Sequence, residues 1–588
     1  MFRTVAQAIA EVGQRFPEHD FVFQDLKGEE TSYTFVDVEA HTARRAAALQ
    51  SLGLEKGDRV GLIVIEPEDF VLTFLACLRV GVVPVPLYPP LSFGNLDAYA
   101  ERTAKVLDSS GAKLLIASGK LQNVLWGLVD KVPSLQKLLP VEKLREAQGT
   151  PSYPTIEPED LAFLQYTSGS TADPKGVMVT HASLVANSKG IIHEGLRLDP
   201  TKGDKGVSWL PLYHDMGLIG FVIAPICHGV PVVFIPTLRF IKRPSVWLDT
   251  VHRHRATASF APNFAYALAT RRVKDSDLEK WDLSCLRVLG CGAEPIQAET
   301  MRAFTKKFHD ACGLPTTAIM PAYGMAEATL AITLKPAPEE MVTLTIDAEH
   351  FSETGEVIEP AEGKATHEHV ACGVPFEGHE VAILDADGNR LGELQEGELC
   401  HRGPSVTPGY FQNPEATAAA YKDGWLHTGD LGFIKDGQVF VTGRIKDLII
   451  VNGRNVHPQA VEWAAAEVEG IRRGNVVAFS VPGATGEELV VVCETKLDEE
   501  EYGRLDEEVR RAVQRELSLS AAAVVFLRPG SLPKTSSGKL QRRKTRDEYM
   551  RGTLGTAGSR AFGSTGSKRT LAKHVVSSFW SRAKATLR

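Results

Sequence analysis

Several signatures are missing from this 588-residue chain, and each absence removes a class of function. No Cys-x-x-Cys pair occurs among its eight cysteines (Cys77, Cys227, Cys285, Cys291, Cys312, Cys372, Cys400, Cys493). Their scatter suits free thiols in a reducing compartment better than disulfides or zinc. There is no Gly-x-x-x-x-Gly-Lys-Ser/Thr loop of the P-loop type and no Gly-x-Ser-x-Gly elbow for a serine nucleophile. Basic excess is lacking too: the formal charge is −8, which argues against nucleic acid as a partner. Met1–Ala10 carries no apolar stretch, so a secretory signal is not expected and the cytoplasm is the expected location. The most apolar stretch, Gly220–Leu238, is interrupted by Pro225, Pro231 and Pro236 and contains His228. It reads as buried strands with turns, not as a membrane span.

What remains is a chain too long for one core, so several domains are expected. Helical spacing at Phe35–Leu52, Asp69–Val80 and Asp97–Ser109 alternates with strand-like runs at Asp58–Ile65 and Lys113–Ala117. That alternation continues to about Thr333 and predicts an α/β fold with mostly parallel sheet. Lys335–Cys372 breaks the rhythm and reads as an insertion. Glu380–Asp385 and Gly397–Arg402, with an Asp387–Gly388 turn between them, predict a β-rich subdomain. A boundary falls near Gly443–Asp447. Beyond it strands and helices alternate as a compact α+β unit, with one helix beginning at Pro458. After Arg551 a Gly/Ser/Thr/Ala linker leads to a basic C-terminal segment.

The strongest chemical signal is Tyr166-Thr167-Ser168-Gly169-Ser170-Thr171-Ala172-Asp173-Pro174-Lys175-Gly176, directly after the apolar run Leu161–Leu164. Small hydroxyl residues and glycine after a buried strand offer hydroxyls and backbone N–H groups to phosphate oxygens, and Lys175 adds a mobile charge. A second signal, Leu286-Arg287-Val288-Leu289-Gly290-Cys291-Gly292-Ala293-Glu294-Pro295, begins as a dinucleotide fingerprint but lacks its third glycine. An NAD-dependent oxidoreductase is therefore disfavoured. In Pro321-Ala322-Tyr323-Gly324-Met325-Ala326-Glu327, Tyr323 offers a flat apolar face and Glu327 a hard oxygen donor.

These segments, in this order, resemble the motifs of the adenylate-forming superfamily of acyl-CoA synthetases, peptide-synthetase adenylation domains and luciferases. The resemblance covers roughly residues 1–550. It implies ATP and Mg²⁺ as cofactors. Thr167, Ser168, Gly169, Ser170, Thr171 and Lys175 would hold phosphates; Gly292, Ala293, Glu294 and Pro295 would line the adenine pocket; Ala322, Tyr323, Gly324 and Met325 would contact the nucleotide, with Tyr323 stacked on adenine. Glu327 would hold the metal. In Thr428-Gly429-Asp430, Asp430 would accept the ribose hydroxyls, and Arg444 would contact ribose or phosphate. Asp447 would be the hinge, and Lys539, in Pro533-Lys534-Thr535-Ser536-Ser537-Gly538-Lys539, the catalytic lysine. A non-catalytic binding module would be expected to lack Lys539, Glu327 or Asp430, and all three are present.

Within that superfamily the chain looks like a fatty acyl-AMP ligase. Pro84–Pro90, Trp209–Gly217, Phe260–Tyr266 and Val451–Pro458 resemble that family's segments, and Lys335–Cys372 sits where the family carries its distinguishing insertion. Ile450-Val451-Asn452-Gly453 replaces the Lys/Arg-bearing hinge sequence common in CoA ligases, and His457 stands where the family more often has Tyr. The resemblance implies an N-terminal adenylation domain (1–443, insertion 335–372), a mobile C-terminal domain (444–550), and acyl transfer to the phosphopantetheine thiol of a carrier protein. A fatty acyl-CoA synthetase is the alternative. The acyl tunnel is expected along Trp209–Pro225 and Phe260–Leu268, with His214 at its acid-binding gate.

The chemistry sets one carboxylate against the anionic α-phosphate, so fixed positive charge and metal are needed while a protein nucleophile is not. Each preorganised contact of that kind is worth roughly 3–4 kcal/mol. The resemblance does not reach residues 551–569, the linker, or 570–588. In the latter, Leu571, Val575, Phe579, Ala583 and Leu587 recur every four residues among basic side chains. The pattern predicts a basic amphipathic helix that could touch an anionic membrane, dock an acidic partner, or pack back on the enzyme.

Overall fold

The computed structural model describes residues 2–90, 96–167, 174–451, 454–483, 487–517, 519–535 and 538–555. The linker and the expected tail helix lie outside these residues, as do Ser168, Gly169, Ser170 and Thr171.

A nine-stranded sheet forms the centre. Its parallel core runs Asp20–Gln24, Val232–Phe234, Gly206–Ser208, Ala258–Ala261, Val288–Cys291 and Ile319–Gly324, with antiparallel strands at both edges. A second, four-stranded parallel sheet joins Val83–Pro86, Arg59–Ile63, Leu114–Ala117 and Lys137–Pro140. Arg59–Ile63 and Leu114–Ala117 fall in the strand-like runs that alternation with helices predicted. The helix Pro67–Arg79 belongs to the large core, and every residue from Asp69 to Arg79 is buried. A helix covered all round must satisfy any charge it carries. Asp69 does so by pairing with Arg45 and Arg145.

The Gly220–Leu238 expectation is corrected in part. Only Val232–Phe234 is a strand; a π-helical turn at Ile219–Ile223 and a helix at Ala224–His228 precede it. Continuous apolar character leaves helix and strand indistinguishable by period. Pro225 sits in the first helical turn, where its missing N–H costs nothing, and Gly229 ends the helix at φ 75°.

Glu380–Leu384, Gly397–Arg402, Trp425–Lys435 and Gln438–Arg444 build an antiparallel sheet beside the central one. The segment read as an insertion folds as strand Thr343–Asp347, helix Ala348–Thr354 and strand Thr366–Val370. Its Ile346 and Phe351 share a small core with Phe433 and Phe440 of the antiparallel sheet. Beyond Ile449 the apolar residues form cores of their own around the sheet Ile471–Pro482, Glu487–Thr495 and Ala521–Leu527. Among the described residues, no helix is long and apolar enough to cross a membrane.

Candidate active site

Four mutually parallel strands of the central sheet end on one side, and each feeds a segment singled out in the sequence. Gly206–Ser208 leads into Trp209–Gly217, Ala258–Ala261 into Pro262–Tyr266, Val288–Cys291 into Gly292–Pro295, and Ile319–Gly324 into Met325–Glu327. Carboxyl ends of parallel strands are where open α/β sheets bind ligands. A cleft of about 2190 Å³ opens there, and Trp209, Phe221, Pro225, Phe260 and Leu268 line its apolar part.

Backbone constraints fix the turns. Ala293 is held at φ 68° and Thr329 at φ 69°, left-handed conformations that non-glycine residues adopt only when their surroundings impose them. A Cβ on Gly324 would lie 1.9 Å from the Leu330 carbonyl, so only glycine permits that approach. Glu294 accepts the Phe264 N–H at 2.6 Å, which joins two of the strand-end loops, and burial raises its pKa.

Asp430 is buried on the antiparallel sheet, directly across from Arg444. One of its oxygens accepts from the Tyr323 hydroxyl at 2.8 Å, the other from Arg444 Nε at 2.8 Å. The carboxylate is thereby oriented, and each oxygen keeps a lone pair for a further donor. The negative charge of Asp430 beside it holds the Arg444 pKa up.

Glu327 is buried beneath Tyr410, whose hydroxyl donates to Oε1 at 2.7 Å. Burial pushes its pKa up. The other oxygen has no hydrogen bond among the described residues. A hard cation would fit such a donor, because it restores the charge balance that burial removes. Lys175 Nζ lies 4.9 Å from the centre of the Tyr410 ring. Thr167 and Lys175 face each other at the ends of an antiparallel hairpin, Leu161–Thr167 and Lys175–Thr180.

His214 Nδ1 lies 2.5 Å from Asp215 Oδ1 at the start of a short helix. Lys539 reaches the same corner from the C-terminal unit. It sits on a loop closed by a Lys534–Leu540 bridge and by Thr535 N–H to its own carbonyl at 2.8 Å. Burial lowers its pKa, and the carboxylates of Asp215 and then Glu294 oppose that shift. The structure thus brings Lys539, His214, Glu294, Tyr323, Asp430 and Arg444 to one cleft.

Asp447 lies farther along the cleft, 3.3 Å from Arg542, which also grips Glu462 through two contacts of 2.7 Å. Sequence reasoning missed Tyr410, Arg542 and Glu462. None stands in a motif, and each acts through partners 80 or more positions away in the chain.

Fold and site together define an adenylate-forming enzyme with a large N-terminal and a small C-terminal domain. The AMP-binding enzyme profile matches residues 9–411, and the chain belongs to that family. A Caulobacter vibrioides protein described as "Putative acyl-CoA synthetase" is 38% identical over 514 residues, 87% of this chain and 89% of that one. The medium-chain-fatty-acid–[acyl-carrier-protein] ligase JamA of Moorena producens is 33% identical over 561 residues, covering 90% and 92%. A solved structure from work on the fatty acyl-adenylate ligases of E. coli and L. pneumophila superposes with a TM-score of 0.88 at 34% identity. It covers 94% of this chain and 98% of its own.

Proposed function

We propose that the chain activates a fatty acid as its acyl-AMP, releasing pyrophosphate, and passes the acyl group to the phosphopantetheine thiol of a carrier protein. The observation that carries this reading is the position of Lys539, which lines the same cleft as the apolar side chains of Trp209, Phe221 and Phe260 and feels the carboxylates of Asp215 and Glu294. An ammonium there can bridge a substrate carboxylate and the α-phosphate, where charge shifts as the P–O bond to pyrophosphate breaks. The attacking carboxylate is already ionised at neutral pH, so no general base is required.

Asp430, oriented by Tyr323 and Arg444, would accept the ribose hydroxyls, and Gly292–Pro295 with the Tyr323 ring would flank the adenine. Thr167 and Lys175 stand at either end of the loop proposed to hold phosphates. Glu327 would hold Mg²⁺, which supplies charge neutralisation of the triphosphate when bound. Asp447 is the proposed pivot between domains 1–443 and 444–550.

The acceptor is inferred from contacts between the insertion and the C-terminal unit. Arg454 donates to Ser352 Oγ from Nε at 3.1 Å and from Nη2 at 2.9 Å. His457 lies 3.0 Å from Glu396 and stacks on Phe351. Such ties favour one orientation of the C-terminal domain and disfavour the swing that would admit free CoA. Acyl-CoA synthesis is the second reading, supported by the description of the Caulobacter relative. A panel of fatty acids with ATP and Mg²⁺, scored for pyrophosphate and acyl-AMP, tests the first step. Failure of every chain length would remove the proposal.

A further inference from the structure

Beside the cleft-lining segment Thr428–Asp430, Glu398, Cys400 and His427 converge on the antiparallel sheet, their ligand atoms all within 4.8 Å of one another. Glu398 and Cys400 are two apart on Gly397–Arg402, and His427 is the register partner of Cys400 on Trp425–Lys435. Two paired strands therefore fix the three side chains before any ligand arrives. The Cys400 sulfur lies 3.5 Å from His427 Nδ1, and Glu398 Oε2 lies 2.8 Å from the same nitrogen. Around a tetrahedral zinc ion, with bonds of about 2.3 Å to sulfur and about 2.0 Å to nitrogen, neighbouring S and N ligands stand about 3.5 Å apart. The S···N spacing already matches. The O···N pair, now in hydrogen-bond contact, would open by about 0.5 Å on binding.

The arrangement does not suit a nucleophilic triad. A relay uses two different ring nitrogens of the histidine, one for the nucleophile and one for the carboxylate. Here both partners face Nδ1. Glu398 Oε1 is occupied differently: it accepts the Gly429 N–H at 2.9 Å, which aims Oε2 at the other two groups. Cys400 is fully buried, whereas the side chains of Glu398 and His427 are each 20% exposed, leaving a path for an ion and a water ligand.

We propose that Glu398, Cys400 and His427 form a binding site for one thiophilic divalent cation of the zinc type, with water completing the coordination. Sulfur and imidazole donors select such a cation over Mg²⁺, so this site is distinct from the one at Glu327. Its His427 stands on the strand that also carries Asp430. Binding releases the thiol proton, because the thiolate is the ligand.

The test is a titration of the chelator-treated full-length protein with Co²⁺, followed by absorbance, with Zn²⁺ as competitor. The expected result is one equivalent of Co²⁺ giving a thiolate-to-cobalt charge-transfer band in the near ultraviolet, abolished by Zn²⁺ and by Cys400→Ser. Circular dichroism checks that the variant is folded. If Cys400→Ser does not fold, His427→Gln serves instead, and at least a tenfold loss of Co²⁺ affinity is expected. Absence of the band in the wild type, its survival in Cys400→Ser, or unchanged affinity in His427→Gln overturns the proposal. These readouts involve no fatty acid or nucleotide, so they stand or fall separately from the proposed activity.

Discussion

The hydroxyl of Tyr323 lies 2.8 Å from a carboxylate oxygen of Asp430, a bond that joins the end of a central-sheet strand to the antiparallel sheet. Tyr323→Phe keeps the ring for stacking and removes only the donor. The expected outcome is about a tenfold rise in KM for ATP, the equivalent of about 1.4 kcal/mol, with kcat changed little. Steady-state kinetics at saturating fatty acid checks it. An unchanged KM would mean that Asp430 is oriented by Arg444 alone.

Lys539→Ala should lower the rate of acyl-AMP formation by 10²–10³-fold, about 3–4 kcal/mol, while ATP binding is largely retained. Pyrophosphate release, read beside equilibrium nucleotide binding, separates the two effects. Near-normal release would remove Lys539 from the chemical step.

Arg454→Ala removes both contacts to Ser352 and loosens the tie between insertion and C-terminal unit. Acyl-AMP formation should persist, and acyl-CoA formation should rise above the wild-type level. Equal CoA use in the two proteins would show that this contact does not restrain the domain.

Acid should weaken the packing of the insertion. Burial pushes His367 down to about 4 and His369 to about 3, with the other histidines of the group, His457 among them, adding to the shift. Phe351 and Phe433 pack against His369, and Glu516 opposes the shift of His367. Folded-state values below the unfolded one, about 6.5, mean that the unfolded chain binds more protons. Stability is therefore intact above about pH 6.5 and falls as pH drops toward 4, by up to about 1.4 kcal/mol per unit for each group. Urea unfolding across that range should show a shallower pH slope for His367→Asn/His369→Asn than for the wild type. Identical slopes would contradict the assignment.

Much of this was legible in the sequence because the site is assembled at strand ends. Val288–Cys291 and Ile319–Gly324 are short apolar runs that stop at turn residues, so each motif declares where its strand finishes. The helix Arg542–Met550 escaped notice for the converse reason. Only Thr545 is buried in it, and it shows no apolar stripe. Pairs closed by tertiary packing were equally hidden. Tyr410 meets Glu327 across 83 positions, His457 meets Glu396 from another sheet's surroundings, and Cys400 meets His427 only because two strands are in register. The scattered cysteines read as unrelated thiols until that register was known.

Carrier protein and free CoA are told apart as acceptors by one competition experiment. Purified enzyme preloaded with acyl-AMP is offered CoA and a holo-carrier protein together, and the thioesters are resolved by mass spectrometry. The expected outcome is acyl-carrier as the dominant product, with acyl-CoA near background. Robust acyl-CoA formation from the wild-type enzyme would contradict it.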